Sequence, residues 1–104
     1  MKTLTVKELK VLRDSGQQHT LLDVREPPEY AFCHLSDSVH IPMGEITSRL
    51  HELPNNQPIV VLCHHGMRSL QVALYLERQD FDVANLTGGI EAWSEQIDDH
   101  VARY

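Results

Sequence analysis

Cys63 stands where a strongly apolar run, Ile59-Val60-Val61-Leu62, gives way to the polar segment His64-His65-Gly66-Met67-Arg68-Ser69. A helical pattern begins near Ser69, so this segment is a short loop joining a buried strand to a helix N-terminus. A helix N-terminus offers unpaired N–H groups and about half a positive charge, and Arg68 adds a full one. Both favour thiolate over thiol, and cysteines so placed titrate roughly between 3.5 and 7.5 instead of near 8.5. Gly66 eases the backbone angles of a tight loop, and Ser69 has the chemistry to cap the helix that follows. Successive inward N–H groups make an anion nest. A lone cysteine after an apolar strand can also be plain packing, but Gly66 and Arg68 at loop spacing point to chemistry. The object predicted is an activated thiol at the bottom of a small anion-binding bowl.

The elements that position this loop alternate in type. Thr5 and Glu8 fit a capping box, and Val6, Leu9 and Leu12 form an apolar helical face ending at Gly16. Residues 20–24 read as a strand. After a break at Pro27-Pro28, residues 29–32 allow one helical turn, and Val39-His40-Ile41 is a brief strand stopped by Pro42. Ile46, Leu50 and Leu53 recur at helical spacing and predict a helix closed by Pro54. Residues 59–62 suit a central strand buried on both faces. A helix over 70–79, a strand over 83–86, a Gly88-Gly89 turn and a helix marked by Ile90, Trp93 and Ile97 complete the chain. This alternation predicts an α/β fold, a parallel sheet with helices on both faces, as a single domain over residues 1–104. Ligands of such sheets bind beyond the carboxyl ends of the strands. That rule gathers Asp23-Val24-Arg25-Glu26, Cys63 to Arg68 and Thr87-Gly88-Gly89 on one edge.

Composition narrows the function classes. Nine Lys and Arg against fifteen Asp and Glu give a net charge of −6, which argues against nucleic-acid or membrane-surface binding. No apolar run approaches the roughly 20 residues of a membrane span, and MKTLTVKELK lacks the core of a signal peptide. A soluble, cytoplasmic protein is expected. Two cysteines, Cys33 and Cys63, make no disulfide framework and suit thiol or metal chemistry instead. His64 and His65, with Cys33-His34, offer zinc-type ligands. They lack CxxC or HxxxH spacing, so neither a metal site nor a cofactor is expected.

Four segments in order resemble the single-domain rhodanese-like sulfurtransferases over nearly the whole chain. They are Asp23-Val24-Arg25-Glu26 with Glu29-Tyr30; His34 with Ile41-Pro42; Cys63 to Ser69; and Leu86-Thr87-Gly88-Gly89 with Trp93. The resemblance implies the rhodanese fold, a five-stranded, mainly parallel sheet flanked by helices on both faces. It also implies a catalytic Cys63 that takes sulfane sulfur from thiosulfate or a persulfide donor, carries it as a persulfide and yields it to cyanide or a thiol. His64, His65, Gly66, Met67, Arg68 and Ser69 would form the substrate site. Their N–H groups would stabilise the sulfur anion, Arg68 would hold the anionic donor, and Met67 would line the rim. Asp23 and Arg25 would brace the loop; Glu26 and Glu29 read as solvated residues or local caps. The partners implied are a small anionic donor, a thiol or cyanide, and a protein sulfur acceptor. The alternative is a low-turnover persulfide carrier serving one partner protein. Four residues separate Cys63 from Arg68, one fewer than in tyrosine-phosphatase-type loops, which favours sulfur transfer. Cys33 and Asp80 stand where the family often has Gly. Cys33 is either inert packing or a resolving thiol.

Overall fold

Residues 1–104 are described by a computed structural model in which five strands form one sheet. The strands are β1 (Lys2–Leu4), β2 (Thr20–Asp23), β3 (Val39–His40), β4 (Ile59–Leu62) and β5 (Val83–Leu86). Their order is β1-β5-β4-β2-β3, and every neighbouring pair is parallel. The helices are α1 (Val6–Ser15), α2 (Pro27–Phe32), α3 (Met67–Arg78) and α4 (Gly89–Gln96).

The strands' two-residue period sorts the core into two layers. Leu22 and Val24, with Ile59, Val61 and Cys63, pack against Val72, Ala73 and Leu76 of α3. Leu21, Val60, Leu62 and Leu86 face the other way, against Val6 and Leu9 of α1 and Ile90 and Trp93 of α4. Both faces of β4 are therefore covered, which explains its unbroken apolar run. β4 is the middle strand, between β5 and β2. The chain leaves β2 towards β3 and leaves β4 towards β5. The exits of β2 and β4 thus form the switch point where open α/β sheets place ligands. No helix is long and apolar enough to cross a membrane.

The capping box at Thr5 and Glu8 is formed, and Gly16 ends α1 with φ 77°. The structure adds one strand and corrects three expectations. β1 was not anticipated, because three residues carry no periodic signal; it pairs with β5. Pro27 and Pro28 begin α2 instead of preceding it, since the first helical turn does not use the missing N–H. The helix expected through Ile46, Leu50 and Leu53 is only a pair of short 3-10 turns, Met43–Glu45 and Leu50–Glu52. Thr47 and Ser48 are poor helix formers, and Arg49 leaves helical geometry at φ −119°. Ile46 and Leu53 still reach the core. Finally, α3 opens at Met67, with Gly66 and not Ser69 at its cap position.

Candidate active site

Cys63 follows β4 in the strand's alternation, so its side chain enters the α3 layer, 1% exposed. The backbone then turns back over it. The N–H groups of Gly66 and Ser69 donate to Sγ at 3.1 and 3.3 Å. Gly66 makes the turn at φ 107°, where a side chain would be strained and its Cβ would lie 3.3 Å from the Leu86 carbonyl oxygen. From the other side, a Cβ on Gly89 would come within 2.5 Å of the Cys63 carbonyl oxygen, so α4 can begin directly against the loop. There Ile90 N–H donates to Cys63 O at 2.9 Å and Glu91 N–H to His64 O at 3.1 Å.

Burial pushes the Cys63 thiol pKa up. Hydrogen bonds from Ser69, Gly66 and His65 outweigh it and hold the thiol below its ordinary value. Among these, the Ser69 hydroxyl has one proton, which it gives to Asn85 Oδ1 at 2.6 Å. The backbone N–H groups therefore carry the stabilisation. Asn85, buried on β5, also donates from Nδ2 to Gly66 O at 3.1 Å. It thereby clamps Ser69 and Gly66, whose N–H groups lie 3.3 and 3.1 Å from the sulfur. Asn85 escaped the sequence reading, although a carboxamide inside an apolar strand was its visible signal.

Two arginine pairs stand at the exits of β2 and β4. Arg25 and Asp23 are both fully buried, with Nε and Nη2 of the arginine 2.9 and 2.7 Å from Oδ1 and Oδ2. Arg25 also donates to Cys33 O at 2.7 Å and to the Tyr104 hydroxyl at 3.0 Å. This pair makes none of its hydrogen bonds to residues 63–69. Its hydrogen bonds anchor the end of α2 and the Tyr104 segment. Arg68, expected to hold the anionic donor, places Nη1 and Nη2 on the two oxygens of Glu29, at 2.6 and 2.8 Å. Glu29 also accepts from Glu26 N–H at 3.0 Å and Tyr104 O–H at 2.7 Å. Chiefly through Arg68, its pKa is held down to about 2. Glu29 is thus more than a local cap: Tyr104 links the two pairs into one chain from Asp23 to Arg68.

His64 stacks on Tyr104, centroids 3.8 Å apart, and lies 3.9 Å from the His65 ring. Burial, then His65, lowers its pKa. Its Nε2 is 3.7 Å from Glu91 Oε2, too long for a hydrogen bond. Met67 is 72% exposed beside the bowl. Cys33 packs against the α1–α4 layer, opposite the layer that holds Cys63. His34 stacks on Tyr30 instead. The three surface cavities, about 310, 300 and 590 Å³, are lined by other residues. The site is a bowl over one sulfur, which a nucleophile beneath an anion nest can use for covalent group transfer.

The sequence profile of the rhodanese-like domain matches residues 5–96. The chain is 37% identical over 93 residues to the thiosulfate sulfurtransferase GlpE of Pseudomonas syringae, covering 88% of this chain and 86% of that one. It is 37% identical over 92 residues to the putative sulfur carrier protein YrkF of Bacillus subtilis, covering 88% of this chain but half of that protein. A rhodanese-like domain protein from Staphylococcus aureus superimposes with a TM-score of 0.88 at 31% identity, covering 100% of this chain and 99% of that one.

Proposed function

The chain belongs to the rhodanese-like domain family and has its α/β fold, and from that premise we propose that it is a sulfurtransferase working through a Cys63 persulfide. One observation carries the reading: a buried sulfur receives two N–H groups at the start of α3 and has its pKa lowered by them. The Cys63 thiolate attacks the outer sulfur of a donor such as thiosulfate or a persulfide. A new S–S bond forms, the donor's S–S bond breaks, and sulfite or thiolate leaves with the electron pair. An acceptor thiolate or cyanide then attacks the outer sulfur and Cys63 departs as thiolate, so no external oxidant is needed. N–H groups of the His64–Ser69 loop stabilise the persulfide anion as an oxyanion hole does oxygen. Arg68, on the rim, positions the donor, and Met67 borders its path. Cytoplasmic residence agrees with small diffusible donors and thiol acceptors.

The name of the Bacillus subtilis relative supports a second reading, a low-turnover carrier that delivers its persulfide to a partner protein. A thiosulfate:cyanide assay with wild type and Cys63→Ser separates the two. Turnover abolished by the substitution is expected for the enzyme. A mass gain of about 32 Da on Cys63 without turnover indicates the carrier. Neither turnover nor mass gain with any sulfane donor would overturn sulfur transfer.

A further inference from the structure

Arg68 belongs to the loop that forms the bowl, yet its charge is neutralised by Glu29. Two of its guanidinium N–H groups are committed to Glu29, one on each carboxylate oxygen. Three N–H donors are left for a substrate. The same mouth holds Glu91, which carries Arg103 on Oε1 and faces His64 on Oε2. Deeper in, Arg25 is matched by Asp23. Each arginine at this end is therefore paired with a carboxylate, while the whole chain carries −6. A donor entering here finds hydrogen bonds and the partial charge of a helix N-terminus, but no uncompensated side-chain cation. The surrounding field opposes each negative charge it brings.

We infer, resting on the sulfurtransferase reading, that Glu29 is a specificity-determining residue that turns the bowl away from dianionic donors and towards sulfane sulfur carried with a single negative charge, as in an organic persulfide or a thiosulfonate. Glu29 does this in two ways. It cancels the charge of Arg68, and it holds the guanidinium so that the remaining donors can still orient a substrate. The transfer step is unchanged. Cys63 gains the outer sulfur, and the donor's S–S bond breaks with its electrons going to sulfite, sulfinate or thiolate.

The test compares thiosulfate, a dianion, with benzenethiosulfonate, a monoanion that yields the same Cys63 persulfide, with cyanide as the common acceptor. Wild type should prefer the monoanion in kcat/KM. In Glu29→Gln the ratio of thiosulfate to benzenethiosulfonate should rise about three- to tenfold at low ionic strength, and the gain should shrink as salt screens it. An unmoved ratio, or an equal fall for both donors, would make Glu29 a mere brace and overturn the inference. Wild type itself gives an independent measurement should the variant misfold. Its kcat/KM for thiosulfate should stay level or rise with ionic strength, whereas a steep fall would reveal an unpaired cation steering the anion and sink the idea. If neither donor adds about 32 Da to wild-type Cys63, the sulfurtransferase reading fails, and this inference with it.

Discussion

Arg25 and Arg68 sit within one hydrogen-bonded chain, yet their surroundings give the same ion pairing opposite meanings. Arg25 and Asp23 have no exposed side-chain surface, and the guanidinium spends its donors on one carboxylate, two backbone carbonyls and a phenol. Arg68 keeps 35% of its side chain exposed and Glu29 keeps 20%. A fully buried pair contributes little net stability when intact but costs dearly when one partner is removed, because the other charge is stranded. A rim pair costs little to break, because water re-solvates both ends. The first is a structural knot and the second is available to a substrate. The difference lies in solvent access, since both pairs are similarly short.

Substitution tests this contrast most severely at the buried end. Arg25→Met strands Asp23 and should destabilise the protein by about 3–5 kcal/mol in urea denaturation; a loss below about 1 kcal/mol would erase the distinction between the pairs. Next comes Arg68→Met, expected to cost no more than about 1 kcal/mol of stability. Sulfur loading of Cys63, followed by mass spectrometry, should nevertheless slow about tenfold, equivalent to about 1.4 kcal/mol of transition-state stabilisation. A large stability loss at this site would make it a second knot. The smallest effect belongs to Tyr104→Phe, which removes one of the four donors to Glu29. Glu29 is charged in the fold down to about pH 2, against an ordinary 4.5. Its contribution to stability is therefore complete above about 4.5 and is lost as pH falls through about 2. Without the phenol its folded pKa rises, and acid unfolding should begin at a higher pH than in wild type. An unshifted acid limb would show that Tyr104 contributes nothing to Glu29.

Legibility in the sequence followed the range of the interactions. Residues 59–62, the Thr5 capping box and Gly88-Gly89 announce themselves because their signals lie within a few neighbouring positions. Cys63 and the loop after it were legible for the same reason. β1 was not, since its three residues form a strand only by pairing with β5, some 80 positions away. The 46–53 segment misled because its apolar spacing records which side chains face the core, while Thr47, Ser48 and Arg49 decide the backbone. Asn85 and Tyr104 act on the site from 16 and 75 positions away, through Ser69 and Glu29. No local pattern encodes such partners. The route by which Asp23 and Arg25 reach the site is hidden on the same account, because Arg25 donates to Cys33, at the end of α2, and to Tyr104.

The start of α4 has a consequence for a sulfur it never touches. Glu91 N–H donates to the carbonyl of His64, and the other end of that same peptide unit is the N–H of His65, one of the groups that lowers the Cys63 pKa. A peptide whose oxygen is drawn upon becomes a stronger donor at its nitrogen, so hydrogen bonds in series polarise one another. The helix therefore works as a remote electron-withdrawing substituent on the thiolate, transmitted through amide resonance.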